Sequence, residues 1–196
     1  MSKAYENYKN KSNIIITSAR KLFLSNGFTN TTMDEVAKET GVTKQTVYRY
    51  FSSKIELFEA VMRSSSKSFT KGTELCLDYN IDIRSALLNY GIEYIKFHLM
   101  DEIVGIYKLM VAESGNAELS KAFLGAGPNE SFGKLIEFLE IRCPDIDDHK
   151  QKAYFLINLL LSARSAVLLG RRTTLNEKEI KHHTESVVDF FLSAIS

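Results

Sequence analysis

The sequence predicts an all-α fold of about nine helices, and three observations support this prediction. The 196 residues include only two prolines, so few positions would interrupt a helix. Runs of alternating apolar and polar residues, which would indicate strands, do not stand out. Apolar residues instead recur every three or four positions along nearly the whole chain, which is the spacing of one helical face.

The first two helices can be placed from their terminal residues. The first helix is expected to begin after Ser12 or Asn13 and to end at Gly27, where glycine allows a positive φ angle. Residues Thr32–Glu35 match a capping box, in which each of the two terminal side chains accepts a hydrogen bond from the other residue's backbone N–H. This box predicts a short second helix that ends before Gly41.

The remaining helices are placed by the same rules. Thr43 can cap the third helix, and a second capping box at Ser53–Glu56 opens the fourth. Pro144 marks a turn between two later helices. The later helices are predicted at 83–100, 103–114, 117–123, from 132 onward, 148–170 and 177–194, with a break at 125–128.

Charge is distributed unevenly along the chain. Residues 1–71 contain 12 Lys and Arg against 6 Asp and Glu, whereas residues 72–196 contain 13 against 18. A basic N-terminal part indicates contact with a polyanion such as nucleic acid, although a chance imbalance of a few charges would give the same counts. The short predicted helices lie in this basic part, so their exposed side chains decide between the two interpretations.

The stretch 41–54, GVTKQTVYRYFSSK, combines three aromatic rings with many polar groups. On a helix that turns about 100° per residue, Val47 and Phe51 share one face, while Gln45 and Arg49 point away from it. A helix this short needs support from its neighbours. The apolar face is therefore expected to be buried and the polar face to be exposed.

The exposed side chains of this stretch suit DNA. Glutamine and arginine can form paired hydrogen bonds with adenine and guanine edges in the major groove. Hydroxyl and ammonium groups can bind phosphate oxygens. A helix at 33–39, a turn at Gly41 and a helix from Thr43 match the helix-turn-helix arrangement, whose second helix enters the groove. The alternative is a plain helical hairpin whose tyrosines are half-buried against a partner.

Residues 31–54 and 56–61, TTMDEVAKETGVTKQTVYRYFSSK and ELFEAV, resemble the DNA-binding domain of the TetR/AcrR family of bacterial regulators. The resemblance covers residues 12–62. It implies an all-helical homodimer with a helix-turn-helix DNA-binding domain at 1–62. It also implies a C-terminal domain at 63–196 that binds a small molecule and dimerises.

The candidate DNA-binding residues combine the helical pattern with this resemblance. The family implies that Thr32 touches phosphate at the second helix and that Lys54 binds phosphate from the fourth. Gln45 and Arg49 replace residue types that are frequent in the family, so they are expected to select bases of their own. The full set is Thr32, Thr43, Lys44, Gln45, Thr46, Tyr48, Arg49, Tyr50 and Lys54.

Aromatic and methionine side chains recur between the fifth and eighth helices, together with the polar His98, Asp101 and Glu113. As a set they would line an apolar cavity with a few polar groups, as small-molecule sites do. Each of them taken alone has core packing as its alternative. His98 and Asp101 lack a third metal ligand, so neither a metal nor a cofactor is predicted. The pocket candidates are Tyr94, Phe97, His98, Asp101, Tyr107, Met110, Phe123 and Phe138.

The last two helices are the candidates for dimerisation. Residues 156–169 are almost wholly apolar, and small side chains among them would allow another helix to approach closely. Residues 187–195 mark an apolar face on the final helix. Two helices from each protomer would form a four-helix bundle, while burial inside one chain is the alternative. The candidates are Leu159, Ser162, Ala163, Ala166, Val187, Phe190 and Phe191.

These patterns predict a sequence-specific DNA-binding transcriptional regulator. No ordered set of catalytic residues stands out, which argues against an enzyme, and a structural scaffold would not require exposed Gln45 and Arg49 beside a capped turn. Repression that ends when a small molecule binds is the predicted mechanism, with activation as the alternative. No apolar run reaches the ~20 residues that span a bilayer, and the N-terminus lacks an apolar signal segment, so a cytoplasmic location is expected.

Overall fold

The computed structural model describes residues 3–126 and 129–195, and every regular element within them is helical. The predicted all-α class is therefore confirmed. Ten of the described α-helices have at least seven residues, and one short α-helix follows a 3₁₀ turn at Ser162–Arg164. The α-helices are α1 Lys3–Asn26, α2 Met33–Thr40, α3 Lys44–Tyr50, α4 Lys54–Glu74, α5 Ile83–His98, α6 Asp101–Ala112, α7 Ala117–Ala126, α8 Asn129–Arg142, α9 His149–Leu161, α10 Ser165–Leu168 and α11 Glu177–Ile195.

The predicted capping residues form the turns around α2 and α3. Thr32 Oγ1 accepts the N–H of Glu35 at 3.2 Å, and a Glu35 carboxylate oxygen accepts the N–H of Thr32 at 2.7 Å. Thr43 Oγ1 accepts the N–H of Thr46 at 3.2 Å. Gly41, between the helices, has φ = 69°, a left-handed conformation that glycine adopts without a side-chain clash. These interactions fix the helix-turn-helix geometry.

The second predicted capping box, at the start of α4, forms only in part. Ser53 Oγ accepts the N–H of Glu56 at 3.1 Å, as predicted. The Glu56 carboxylate accepts hydrogen bonds from the N–H and the hydroxyl of Ser52 instead, at 2.7 and 2.6 Å. These bonds, the one from the hydroxyl first, lower the pKa of Glu56. The Glu56 carboxylate thus bonds to Ser52, whereas the capping-box pattern predicts a bond from the backbone N–H of Ser53.

Two compact units divide the described residues, and the first contains residues 3–66 and 105–126. At its centre lie the rings of Phe23, Phe28 and Phe58, with centroids 5.4 to 5.8 Å apart in tilted and edge-on arrangements. All three side chains are buried. Such ring contacts favour one arrangement of the surrounding helices, which include the helix-turn-helix.

The second unit contains residues 67–104 and 129–195. Its core is formed mainly by α5, α8, α9 and α11, which bury leucine, valine and aromatic side chains. Gly91 on α5 allows a close approach of α9 and α11. A Cβ atom at this position would lie 2.6 Å from a methyl carbon of Thr184 and 3.0 Å from one of Leu160.

Two predicted helices have the wrong bounds. α1 extends back to Lys3, well before the predicted start after Ser12 or Asn13, because Tyr8 stacks on Tyr50 and gives the polar first turns a tertiary support. The helix predicted at 148–170 is interrupted after α9. There the Ser162 hydroxyl donates to the carbonyl of Leu159 at 2.7 Å, a bond that competes with the regular helical pattern.

Two further boundaries concern the middle of the chain. α7 continues through Gly125 to Ala126, so the predicted break does not begin at 125, and residues 127 and 128 lie outside the described residues. α4 is continuous from Lys54 to Glu74, so the boundary predicted after residue 62 falls inside a helix. The functional domains at 1–62 and 63–196 stay a prediction.

Candidate nucleic-acid interface

One face of α3 packs against the rest of the first unit. Val47 is fully buried, and Phe51, directly after the helix, is 6% exposed. Gln45 and Arg49 on the opposite face are exposed, as the helical pattern predicts. α3 therefore presents a polar strip, here called the α3 strip (Gln45 and Arg49), whose donors and acceptors have the chemistry to read base edges in a major groove.

The nine predicted DNA-binding residues all belong to the first unit. Thr46, Tyr50 and Lys54 are half-buried, and the other six side chains are exposed. The hydroxyls of Thr43 and Thr46 lie 2.9 Å apart and bond to each other beside the α3 strip. The structure thus gathers hydroxyl, amide and cationic groups around one short helix, while their individual contacts with DNA stay a prediction.

An ion pair ties the first turn of α3 to α2. Lys44 Nζ lies 2.9 Å from a carboxylate oxygen of Asp34, and both side chains are exposed. The hydrogen bond and the charge of Asp34 raise the pKa of Lys44. Exposed pairs of this kind contribute little to stability, so a phosphate can replace Asp34 as the partner of the ammonium group at small cost.

Lys54 has a structural role that the sequence pattern does not indicate. Its Nζ donates hydrogen bonds to the carbonyls of Phe28, Thr29 and Thr31, at 2.8, 3.2 and 2.9 Å. An ammonium group has three N–H donors, and these carbonyls occupy all of them. Burial lowers the pKa of Lys54. The side chain therefore holds the loop between α1 and α2, and its contact with phosphate stays a prediction.

Glu113, which directly follows α6, binds the same loop from another side. Its carboxylate oxygens accept the N–H of Thr29 at 2.8 Å and the hydroxyl of Thr29 at 2.5 Å. These bonds, with a smaller contribution from the charge of Lys54, lower the pKa of Glu113. Glu113 was a polar candidate for the ligand pocket in the sequence. No local pattern indicates its actual partner, which lies 84 positions away.

The eight predicted pocket residues are divided between the two units. Tyr107, Met110 and Phe123 belong to the first unit, where the rings of Tyr107 and Phe123 lie edge-on with centroids 5.8 Å apart. The other five belong to the second unit: Tyr94, Phe97, His98, Asp101 and Phe138. A single pocket lined by all eight residues stays a prediction.

In the second unit, three of these residues surround Phe69. The rings of Phe69 and Phe97 are stacked with centroids 4.3 Å apart, and those of Tyr94 and His98 lie 5.4 Å from Phe69. His98 Nδ1 lies 2.8 Å from the carbonyl oxygen of Tyr94, and burial lowers the pKa of His98 to about 4. Asp101 is exposed at the start of α6 and is separate from this buried group.

An open apolar groove of about 500 Å³ lies between α9 and α11. Phe155 and Phe190 line it and are 48% and 61% exposed. The predicted dimer residues Leu159, Phe190 and Phe191 line the same groove. Phe155 is missing from the sequence-based candidates because α9 is apolar on several sides, so the pattern does not reveal which side is exposed.

The other predicted dimer residues have different surroundings. Val187 is buried in the core of the second unit, which fits the alternative that the sequence left open. Ser162 is exposed, and Ala163 and Ala166 are half-buried near α10. A role of these four residues in dimerisation stays a prediction.

Two features are absent from the residues that the structure describes. Residues 3–126 and 129–195 contain no group of three His, Cys, Asp or Glu side chains arranged to hold a metal ion. None of the helices in these same ranges is both long enough and apolar enough to cross a membrane.

Two family models match the chain. Residues 15–61 match the model of bacterial regulatory proteins of the tetR family. Residues 85–194 match the model of the C-terminal domain of AefR-like transcriptional repressors, and this match covers more than half of the chain. The first match includes the helix-turn-helix and the α3 strip.

Curated relatives match over part of their length. The HTH-type transcriptional activator FasR of Mycolicibacterium smegmatis is 33% identical over 73 residues, which are 37% of this chain and 33% of FasR. The uncharacterised HTH-type regulator YhgD of Bacillus subtilis is 32% identical over 89 residues, 43% of this chain and 46% of YhgD. The chain spans less than half the length of the curated relatives it matches.

Solved structures match over nearly the whole chain. A TetR-family transcriptional regulator from Mesorhizobium loti has a TM-score of 0.82 at 22% identity, over 99% of this chain and 98% of its own. The flavonoid-responsive regulator FrrA has a TM-score of 0.80 at 28% identity, over 95% and 97%. With the helix-turn-helix geometry and both family models in agreement, the chain belongs to the TetR family of bacterial transcriptional regulators.

Proposed function

We propose that this regulator binds a specific double-stranded DNA operator as a homodimer and represses transcription by occupying it. The observation that carries the proposal is the α3 strip, in which Gln45 and Arg49 are exposed opposite the buried Val47. Arginine suits the O6 and N7 acceptors of guanine, and glutamine suits N6 and N7 of adenine. A DNA partner in a bacterium implies a cytoplasmic location, and the proposal assigns no catalytic step to the chain.

The homodimer is proposed to form through α9 and α11. Phe155 and Phe190 border the groove between these helices, and a second copy over them would remove exposed apolar surface from water. Two copies of α9 and α11 would make a four-helix arrangement about a two-fold axis. Such a dimer would present its two α3 helices to half-sites about 34–36 Å apart.

A small molecule bound in the second unit is proposed to end repression. The rings of Phe69, Tyr94 and Phe97 beside His98 supply aromatic surface with a polar group. A ligand that prefers a state with a different α3 spacing lowers operator affinity by its difference in binding free energy between the two states. FrrA is named as flavonoid-responsive, so flavonoids are the first compounds to screen.

Activation is the second candidate function. FasR, which matches part of the chain at 33% identity, is named as an activator. The same α3 strip would bind DNA in both cases, because the position of the operator relative to the promoter decides the sign. Transcription in vitro from a promoter that carries the operator, with and without the protein, distinguishes the two.

Selection of binding sites from a randomised DNA library tests the proposed function. A repeated, two-fold related motif should be enriched, and affinity for it should fall steeply as salt rises, because phosphate contacts release counterions. Arg49→Ala should weaken binding by roughly 5- to 100-fold and relax selectivity at one base position. Lys178→Ala is the charge-matched control, since Lys178 is exposed on α11 in the second unit.

The same selection can also contradict the proposed function. If no motif is enriched, sequence-specific binding is wrong for this chain. If a motif is enriched but Gln45→Ala and Arg49→Ala both bind it as tightly as the wild type, a surface other than the α3 strip reads the DNA.

A further inference from the structure

The first turns of α1 contact the end of α3. α1 extends back to Lys3, so its residues 3–14 precede the matched module at 15–61. The ring of Tyr8 stacks on the ring of Tyr50, the last residue of α3, with centroids 4.5 Å apart and planes inclined by 27°. A segment outside the helix-turn-helix thus touches the helix that carries the α3 strip.

Tyr50 also contacts Arg49, its neighbour on α3. The Arg49 guanidinium carbon lies 5.6 Å from the centroid of the Tyr50 ring, within the range of a cation–π interaction. Tyr8 is 50% exposed, and Arg49 is exposed as well, whereas Tyr50 is half-buried. Tyr8, Tyr50 and Arg49 form a continuous row of contacts, here called the Tyr8 row, from α1 to the α3 strip.

We propose that Tyr8 is a positioning residue for DNA recognition, whose ring fixes the side chain of Tyr50 and, through it, the guanidinium of Arg49 before DNA binds. The inference rests on the proposed function, since Arg49 needs a fixed orientation only if the α3 strip reads bases. It gives the N-terminal turns of α1 an indirect role in DNA recognition, through the side chains that would contact the DNA.

The physical reason is the conformational entropy of the arginine side chain. A free arginine occupies many rotamers, and ordering it on a base edge weakens binding by the entropy that is lost. A stacked ring has few orientations, and a guanidinium beside that ring is restricted in turn. The Tyr8 row therefore orders part of the α3 strip in advance, and DNA binding loses less entropy.

The location of the stack favours this role over packing alone. Half of the Tyr8 side chain stays exposed, so the ring buries little apolar area for its size. Its partner, Tyr50, lies on α3 next to Arg49 rather than in the core around Phe58. The contact therefore acts where the bases would be read.

Fluorescence anisotropy with the selected operator tests the proposal on the full-length chain. Tyr8→Ala should weaken operator binding by roughly 3- to 10-fold and reduce discrimination at the base that Arg49 selects. Tyr8→Phe keeps the ring and should bind within about twofold of the wild type. Asn7→Ala is the control, because Asn7 adjoins Tyr8 on α1 and is exposed.

A double-mutant cycle tests whether Tyr8 acts through Tyr50, and circular dichroism checks that each variant keeps its helix content. If Tyr8 acts through Tyr50, Tyr8→Ala should have no further effect on operator binding in a Tyr50→Ala background. Additive effects of the two changes would overturn the proposal. So would wild-type affinity of Tyr8→Ala, or a loss in Tyr8→Phe as large as that in Tyr8→Ala.

The two proposals can fail separately. If Gln45→Ala and Arg49→Ala weaken operator binding while Tyr8→Ala does not, the positioning role of Tyr8 is wrong and the proposed function stands. If Gln45→Ala and Arg49→Ala leave binding unchanged, the α3 strip is not the recognition surface, and both proposals fall.

Discussion

The carboxylate of Glu113 holds Thr29 by two hydrogen bonds, one from the backbone N–H and one from the hydroxyl of Thr29. The carbonyl of the same residue accepts a third bond from Lys54 Nζ. Thr29 lies in the loop that leads into α2, so this loop is fixed both from α4 and from the residue after α6. A shift at the end of α6 would therefore reach the loop that precedes the helix-turn-helix.

Removal of the Glu113 charge should loosen this loop. Glu113→Gln keeps the shape of the side chain but loses one charge-assisted hydrogen bond, and Glu113 is only half-buried. We therefore expect a loss of about 1 kcal/mol in the free energy of unfolding at neutral pH. Urea unfolding followed by circular dichroism measures the loss. Lys121→Gln, an exposed change of charge on α7 in the same unit, should be neutral, and an equal loss in both variants would contradict a specific contact with Thr29.

The Glu113 contact should also depend on pH in a defined direction. The pKa of Glu113 is held below its ordinary value of 4.5 by the bonds from Thr29. A carboxylate with a lowered pKa in the folded state contributes stability above the unfolded pKa and loses it as pH falls through the folded pKa. The difference between the wild type and Glu113→Gln should therefore be present at about pH 7 and decrease as the pH falls below 4.5. A constant difference over this range would contradict the assigned cause.

Replacement of Lys54 should lower the free energy of unfolding, whether or not Lys54 also contacts DNA. Lys54→Met keeps the aliphatic stem but leaves the carbonyls of Phe28, Thr29 and Thr31 without this donor, for an expected loss of about 2–3 kcal/mol. Lys38→Met on α2, where the lysine is exposed, is the control. Thermal unfolding measures stability. If Lys54→Met is as stable as the control but lowers the salt dependence of DNA binding, Lys54 acts as the phosphate contact instead.

His98 makes the second unit sensitive to acid. Burial lowers its pKa to about 4, so the folded state keeps the ring neutral while the unfolded chain binds a proton near pH 6.5. The titration of His98 should therefore leave the free energy of unfolding unchanged above about pH 6.5 and lower it by about 3 kcal/mol at pH 4. His98→Leu should remove this part of the pH dependence. His182→Gln, at an exposed position on α11, should retain it, and an unchanged profile in His98→Leu would contradict the assignment.

The helix-turn-helix was predictable because its determinants are local. Thr32, Glu35 and Thr43 interact with residues three positions away, and Gly41 ends a helix by its own conformation. Burial of Val47 follows from helical periodicity alone. Each of these features can be derived from fewer than ten consecutive residues, so the sequence pattern contains the information.

The features that the sequence missed depend on distant partners. Tyr8 stacks on a residue 42 positions later, and Glu113 bonds to one 84 positions earlier. Such contacts leave no periodic signal, because neither partner needs a particular neighbour in the chain. Val187 shows a different ambiguity, because the helical pattern made it a dimer candidate and the structure buries it in the core of the second unit. An apolar position on a helix is compatible with both the core of one chain and a contact with a second.

Gly91 should tolerate no larger residue. Gly91→Ala would place a Cβ atom 2.6 Å from a Thr184 methyl carbon and 3.0 Å from Leu160, so α5 must move away from α9 and α11 at a cost of about 1–3 kcal/mol. Gly133→Ala in α8 is the matched control. Its Cβ would meet open space, and the change should stabilise the helix by about 0.5–1 kcal/mol. Chemical denaturation measures both, and equal effects would contradict the packing at Gly91.

The groove between α9 and α11 provides the test of the homodimer. Phe190 is 61% exposed on its rim, and a carboxylate at this position would have to be buried without a partner if a second copy covers the groove. Phe190→Asp should therefore shift the protein from dimer to monomer in sedimentation-velocity experiments, and lower operator affinity at least tenfold, because one protomer contacts a single half-site. Its helix content should not change, since the side chain is exposed in the single chain.

Ile141→Asp is the control for this change, because Ile141 is 58% exposed on α8 in the same unit and outside the groove. It should leave both the dimer and operator binding intact. If Phe190→Asp remains a dimer, the groove is not the dimer interface. If both variants become monomers, the added charge rather than its position is responsible, and the assignment of α9 and α11 as the dimer interface is wrong.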